Sequence, residues 1–299
     1  RTLEGARYYT QWAGAPRYVI SKSNGTNDYN DDINTRSLYT NWLAGGSSYI
    51  PNKEGLRVPI ELTLGVHSDA GVKADGTTVG TLSICTTQQG NPTLGTGLSR
   101  NASQVFANQL VANAKRDIEG TFKKVWNTRG VKDANYSETR LPEVPSAIIE
   151  TLSHQNFGDM KLGQDPNFKF TLARSIYKSI LRYTASLHKR PYIVQPLAPD
   201  NFRIEYVSKD KVRLKWNGVN DPLEPTAKPT SYNIYMATGT SGFDNGVNVN
   251  GNSYEITLEP NVLYNFRVTA CNHGGESFPT EVLSAYHKEG AKQTILIVN

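Results

Sequence analysis

The residues that could do chemistry in this sequence lie in two short stretches, each of which follows a run of apolar residues. His67-Ser68-Asp69 follows alternating apolar residues from Leu56 to Val66. Glu150 directly follows Ala147-Ile148-Ile149 and shortly precedes His154. Both apolar runs have the pattern of β-strands. Histidine and carboxylate side chains at the ends of strands are typical of hydrolytic metal sites and of general acid–base catalysis.

Each of these groups also has a purely structural interpretation. His67 could be a partly buried histidine at a turn, and Glu150 could lie at a helix N-terminus or in a salt bridge. If the two strands are parallel, their C-terminal ends meet at one edge of the sheet, so that His67 and Glu150 converge. A neutral imidazole binds zinc, and a carboxylate whose pKa is raised by burial can take a proton from zinc-bound water.

The elements that would position these residues alternate between helices and strands. This alternation predicts an α/β domain over residues 1–190, an open and mainly parallel sheet flanked by helices. The predicted elements are a helix over 1–13, a strand at Tyr18–Ile20, a helix at Ile33–Leu43, strands at Leu56–Val66 and Val79–Thr86, a helix at Asn101–Gly120, an edge strand within 126–140, a strand at Ala147–Ile149 and a helix at Asn167–Leu187.

Composition and charge exclude some classes of protein. The 299 residues are 37% hydrophobic and 20% charged, and no apolar run approaches the roughly 18 residues of a membrane span. The net charge is +5, but lysines and arginines form no block of the kind that binds nucleic acid. Cys85 and Cys271 fall in different predicted domains, which argues against a structural disulfide. The start at Arg1, with neither methionine nor signal peptide, indicates a processed or excised piece.

An acidic loop precedes the second predicted helix. Asp28, Asp31 and Asp32 could be read as metal ligands, but their spacing lacks the glycine and the distal glutamate of a calcium loop. The more economical interpretation is that Asp31 or Asp32 caps the N-terminus of the helix at Ile33–Leu43.

Four segments together resemble the zinc-dependent N-acetylmuramoyl-L-alanine amidases. Leu62–Ala70 is similar to the family's "SxHxNA" strand, and Val144–Asn156 is similar to its "PAVLVETGFxSN" segment. Between them, Thr128–Val131 resembles the "NRGV" piece, and upstream Arg36 with Asn41 resembles the "RxxxAN" helix. The order and spacing agree, and the resemblance covers roughly residues 1–185.

The resemblance implies roles for individual residues. His67 would be a zinc ligand and Glu150 the catalytic acid/base, with Asp69, Arg129 and His154 on the substrate side. The implied reaction is hydrolysis of the amide between N-acetylmuramic acid and L-alanine in peptidoglycan, with Zn²⁺ as cofactor. The implied location is secreted, periplasmic or on a bacterial cell surface.

The sequence departs from the family pattern in three respects. It contains neither the "GHGG"-like histidine of the first strand nor the glutamate ligand that follows it, and Asp69 replaces the family's asparagine. Two alternatives therefore stand beside the amidase. One is a non-catalytic envelope or polysaccharide-binding protein with a degenerate amidase fold. The other is an enzyme on another polysaccharide that does not use a metal. Its cleft would be lined by aromatic residues such as Tyr29, Tyr39 and Trp42.

After a proline-rich linker at 190–199, the pattern changes to short alternating strands separated by turns. Residues 197–290 resemble a fibronectin type III β-sandwich, in which Trp216 is core and Tyr264 is the tyrosine corner. Such modules space or dock other domains, and exposed tyrosines would suit carbohydrate binding. Residues 291–299 read as a strand that would begin a further domain or add an edge strand. The predicted strands of the sandwich are Phe202–Tyr206, Val212–Trp216, Tyr232–Tyr235, Tyr254–Ile256 and Tyr264–Ala270.

Overall fold

The computed structural model describes residues 5–293 and 295–296. The chain divides into two compact units, unit 1 (Arg1–Arg190) and unit 2 (Pro191–Asn299). Along the described part of the chain, no helix is long and apolar enough to cross a membrane.

Unit 1 combines helices with one four-stranded sheet. The helices are α1 (Ala6–Trp12), α2 (Arg17–Ile20), α3 (Asp28–Ala44), α4 (Asn101–Phe122), α5 (Ser137–Arg140), α6 (Phe157–Gly163) and α7 (Pro166–Leu187). The strands are β1 (Thr63–Asp69), β2 (Thr81–Cys85), β3 (Thr128–Asp133) and β4 (Ser146–Ser153).

The sheet of unit 1 is mixed, which corrects the prediction of a mainly parallel sheet. The strand order is β1-β4-β2-β3. β1 and β4 are parallel, β2 and β3 are parallel, and the central pair of β2 and β4 is antiparallel. Hydrophobic periodicity does not encode strand direction, because both kinds of ladder place alternate side chains on opposite faces.

The two faces of the sheet have different apolar neighbours. Ala147 and Ile149 of β4 pack with Phe106 and Leu110 of α4 and with Tyr183 of α7. On the alternate positions, Ile148 forms a separate cluster with Leu82 and Ile84 of β2. Glu150 shares the face of Ile148, because side chains two residues apart in a strand point to the same side.

Several element boundaries differ from those predicted. Residues 18–20 lie in α2 rather than in a strand. Val19 is buried against α3, and its carbonyl accepts a hydrogen bond from Thr35 Oγ1 at 3.0 Å. β1 begins at Thr63 rather than Leu56, and α6 was not predicted. Residues 1–4 of the first predicted helix lie outside the described residues.

The acidic residues predicted to precede this helix instead belong to the first turns of α3, where hydrogen bonds and ion pairs hold them. Asn27 is the N-cap, since its side chain accepts a hydrogen bond from the backbone N–H of Asn30, so capping by Asp31 or Asp32 was wrong. Asp31 is fully buried and accepts from the Ser23 N–H at 2.6 Å. Asp28 pairs with the Arg7 guanidinium at 2.6 Å.

Unit 2 is an all-β sandwich of a three-stranded and a five-stranded sheet. The buried Trp216 packs in its core with Val212 and Phe266. The Tyr264 hydroxyl accepts from the Glu259 N–H at 3.2 Å, as expected of a tyrosine corner. The strands are β5 (Asp200–Tyr206), β6 (Lys211–Asn217), β7 (Ser231–Thr238), β8 (Val247–Val249), β9 (Ser253–Thr257), β10 (Leu263–Asn272), β11 (Gly275–Glu276) and β12 (Leu283–Tyr286).

The proline-rich segment that was predicted to be a linker is packed within unit 2. Val194 is fully buried, its N–H donates to Thr226 Oγ1 at 3.1 Å, and its carbonyl accepts from Asn272 Nδ2 at 2.9 Å. At the other end, the strand expected within 291–299 lies partly outside the described residues. Gln293, Ile295 and Leu296 are described and belong to no helix or strand.

A buried carboxylate joins the end of β4 to the segment before β2. Asp159 of α6 is fully buried and accepts hydrogen bonds from the backbone N–H groups of Val79 at 2.7 Å and Gly80 at 2.8 Å, and from the Asn156 side chain. Removal of a charged acceptor leaves buried donors without a hydrogen-bond partner. This lowers the free energy of unfolding by more than the hydrogen bonds themselves contribute.

We therefore expect Asp159→Ala to lower the free energy of unfolding by about 2–4 kcal/mol. Urea denaturation of the full chain measures this loss, and hydrogen exchange at the Val79 and Gly80 amides localises it. The control is Asp75→Ala, which removes an acceptor for Thr77 in an exposed turn and should cost less than about 0.5 kcal/mol. Equal stability of the two variants would contradict the assignment.

Candidate functional site

Parallel pairing of β1 with β4 sets His67 opposite Glu150. Adjacent strands lie about 4.8 Å apart, so these two residues are lateral neighbours on one face of the sheet. The strands continue to Asp69 and Ser153, so both residues lie within strands rather than just past their ends. The predicted convergence of His67 and Glu150 is therefore present in the fold, although the sheet is mixed.

The Glu150 carboxylate lacks a hydrogen-bond partner for one oxygen. Its Oε2 atom is buried and accepts no hydrogen bond from any described residue. Burial raises the pKa of Glu150, and the negative charge of Asp69 raises it further. The charges of His67 and Arg129 oppose this shift only in part. Glu150 therefore holds a proton more tightly than an ordinary glutamate.

The imidazole of His67 has a carboxylate partner that was not predicted. His67 Nε2 lies 2.9 Å from Glu138 Oε2, and Glu138 Oε1 accepts from Arg36 at 2.6 Å. The motif resemblance places Arg36 in a helix and gives it no role beside His67. Glu138 belongs to none of the four resembling segments, and it lies in a stretch that was predicted to be a loop and an edge strand. No local pattern separates it from the other charged residues there.

The three residues predicted on the substrate side lie together at the end of β1. Asp69 Oδ2 accepts from Arg129 at 2.6 Å. Burial alone would raise the pKa of Asp69, but the hydrogen bonds from Arg129 and from the Ala70 N–H lower it overall. His154 donates its backbone N–H to the Asp69 carbonyl at 3.0 Å, and its Nδ1 lies 3.1 Å from Ser68 Oγ. Fixed charges and exposed polar groups thus border Glu150.

The described residues do not fit the three-ligand zinc site that the resemblance implies. Over residues 5–293 and 295–296, no three His, Cys, Asp or Glu side chains are arranged to hold a metal ion. His67 presents its Nε2 atom to Glu138 instead. Protein zinc sites use three or four protein ligands, so His67 alone does not form one.

The aromatic residues of the third interpretation are only partly together. The rings of Tyr39 and Trp42 lie 5.7 Å apart on adjacent turns of α3. Tyr29 is exposed near the N-terminus of the same helix. Tyr39 follows Tyr29 by ten positions along the helix, a rise of about 15 Å.

Comparison with known proteins identifies unit 2. A family model for the fibronectin type III domain matches residues 197–286. A solved myokine structure is 18% identical, covering 32% of this chain and 100% of that chain with a TM-score of 0.27. The FN3tt mutant structure is 23% identical, covering 31% and 98% with a TM-score of 0.27. The third fibronectin III domain of the human KIAA0343 protein is 20% identical, covering 35% and 92% with a TM-score of 0.28.

Residues 197–286 therefore form a fibronectin type III domain, which confirms that part of the sequence interpretation. No curated protein matches the chain.

The raised pKa of Glu150 has a consequence for stability. The folded state binds this proton more tightly than the unfolded chain, so stability falls as pH rises from about 4.5, the ordinary value, through the raised pKa. We expect Glu150→Gln, which carries no charge, to be more stable than the native protein above this interval. The advantage should disappear as the pH falls below it. Urea denaturation between pH 4 and about 8 measures the difference.

The control is Glu119→Gln. The Lys115 ammonium and the Trp126 N–H lower the pKa of Glu119, so Glu119→Gln should be less stable than the native protein at neutral pH. This difference should disappear as the pH falls, because the native protein then loses the stability that the Glu119 charge provides. A Glu150→Gln variant that is less stable than the native protein at neutral pH would contradict the account.

Proposed function

We propose that unit 1 is a hydrolase domain that cleaves the N-acetylmuramoyl–L-alanine amide bond of peptidoglycan, with Glu150 as the group that transfers protons. The observation that carries the proposal is the Glu150 carboxylate, which has a buried oxygen without a partner, a raised pKa, and His67 beside it in the parallel ladder. The bond and the substrate come from the motif resemblance.

The chemistry of Glu150 suits amide hydrolysis. A carboxylate with a raised pKa can accept a proton from attacking water and return it to the leaving amine, because its pKa lies nearer the working pH. An unpaired buried oxygen destabilises the fold unless something compensates, and such groups concentrate at functional sites. In the proposed reaction, Oε2 would contact the attacking water or a substrate N–H.

The residues beside Glu150 offer contacts for a glycan that carries peptides. Arg129 has a guanidinium that Asp69 holds in place at 2.6 Å, and guanidinium groups bind carboxylates such as those of stem peptides. His154 adds an exposed imidazole at the same strand end. These groups are the proposed substrate-side contacts.

Zinc enters the proposal only through the resemblance, with His67 as its ligand. Because the described residues do not supply a three-ligand set, the proposed proton-transfer role of Glu150 includes no metal-dependent step. Elemental analysis of the purified protein and of His67→Ala tests the cofactor: about one zinc per chain, lost in the variant, would support it.

A second candidate function is binding of an envelope polysaccharide without catalysis. The observation that favours it is the engagement of His67 Nε2 by Glu138, since this nitrogen is then not directed at a metal or at water. In both candidates the partner is peptidoglycan or a related envelope polysaccharide. The proposed location is therefore outside the bacterial cytoplasm, and unit 2 would space or dock unit 1 there.

The test is hydrolysis of purified peptidoglycan by the full chain, measured as new α-amino groups on L-alanine. We expect Glu150→Gln to lower the rate by about 10²- to 10⁴-fold, because it removes the proton acceptor and retains the side-chain shape. Glu119→Gln on α4, outside the site, should retain the native rate.

Two results would overturn the hydrolase proposal. One is native hydrolysis by Glu150→Gln. The other is a native protein that sediments with peptidoglycan and releases no amino groups, which would favour the binding function.

A further inference from the structure

The partner of His67 is fixed from a neighbouring element. Glu138 lies on α5, and its side chain is only 16% exposed. One of its oxygens contacts His67 Nε2 at 2.9 Å, and the other accepts from Arg36 of α3 at 2.6 Å. A carboxylate that is held at both oxygens cannot turn away from the imidazole without breaking a second ion pair.

Arg36 forms a second ion pair, with a carboxylate of its own helix. Its guanidinium lies 3.7 Å from Asp32 one turn earlier in α3, and Asp32 accepts from the backbone N–H of Arg7 at 3.0 Å. A continuous chain of polar contacts therefore runs from α1 through α3 and α5 to the imidazole of His67. The side chains of Asp32 and Glu138 are 22% and 16% exposed, so solvent screens these contacts less than those of a fully exposed pair.

A glycine on β1 leaves the space that the imidazole occupies. A Cβ atom at Gly65 would lie 3.1 Å from His67 Nε2 and 3.2 Å from Ile148 Cγ1. The backbone of Gly65 is in an ordinary extended conformation, so this space and not a special φ angle is what glycine provides. The ring of His67 thus lies back along the strand over Gly65, with Nε2 2.9 Å from Glu138 Oε2.

This arrangement selects one state of the imidazole. A carboxylate oxygen 2.9 Å from Nε2 is a favourable neighbour when that nitrogen carries a hydrogen, and in the neutral ring Nδ1 then carries the free lone pair. We propose that Glu138 and Arg36 are positioning residues that hold His67 with its hydrogen on Nε2, so that His67 serves the site through this fixed orientation and not as a metal ligand through Nε2. The proposal rests on the proposed function in that it assigns His67 to the site of Glu150.

The test is side-chain ¹⁵N NMR of the five histidines in the full chain at about pH 8.5, roughly two units above the ordinary imidazole pKa. His67→Gln assigns the signal. We expect the native His67 to be predominantly the Nε2–H tautomer. Glu138→Leu, which removes the acceptor, should lower that preference at least severalfold, and Gly65→Ala should perturb the same signal by displacing the ring.

The chain contains a matched control. His188 Nε2 lies 2.8 Å from the Glu61 carboxylate, so its signal should show the same tautomer and should not respond to Glu138→Leu. Glu138→Gln keeps an acceptor of the same length and should restore most of the native tautomer of His67. This second variant keeps the test usable if Glu138→Leu does not fold, which circular dichroism would show.

Two NMR results would overturn the proposal. The first is an Nδ1–H tautomer of His67 in the native protein, or an Nε2–H preference that Glu138→Leu leaves unchanged. The second is a shift of the His67 Nε2 signal on addition of one equivalent of ZnCl₂ to the native protein, which would show that a metal displaces Glu138.

Peptidoglycan hydrolysis separates failure of this proposal from failure of the proposed function. A loss of kcat of about tenfold or more in Glu138→Leu, with little change in KM, supports a positioning role in catalysis. Native kcat in that variant, with hydrolysis still dependent on Glu150, overturns that role and leaves the hydrolase standing. The expected tautomer together with no hydrolysis by the native protein overturns the hydrolase and leaves the orientation of His67 by Glu138 and Arg36 standing.

Discussion

The parallel register between β1 and β4 is the constraint on which the site of unit 1 depends. Thr63 pairs with Ser146, and the ladder continues to His67 opposite Glu150. A slip of one residue in a strand would turn every side chain to the opposite face. Such a slip would drive Ala147 and Ile149 out of the core formed with α4 and α7. Apolar burial therefore fixes the register, and the register in turn fixes the polar pair.

The energetics of the site differ from those of its supports. Asp159 is a buried carboxylate that is supplied with donors, and it joins two backbone segments. Glu150 has a buried oxygen without a donor, so its charged form is disfavoured. His67, by contrast, is tied through Glu138 to Arg36. The fold thus holds one acidic group under-solvated beside an imidazole that is fixed in orientation, which is a combination suited to proton transfer.

Sequence reasoning found the elements that have strong periodicity and missed the contacts that depend on tertiary structure. The long helices α4 and α7 follow from their spacing of apolar residues, and unit 2 follows from its short alternating strands. The antiparallel pairing of β2 with β4 has no local signal. Glu138 was missed for a similar reason, since α5 brings it to a residue far away in the chain.

In the proposed function, the environment of the Glu150 carboxyl group prepares it for proton transfer. The most direct measurement is a ¹³C NMR titration of its side-chain carboxyl group in the full chain, with the signal assigned from its absence in Glu150→Gln. We expect a Glu150 pKa above the ordinary value of 4.5, with Asp69 titrating below its own ordinary value of 3.8. A Glu150 pKa at or below 4.5 would contradict the account, because the carboxylate would then be an ordinary, stabilised anion.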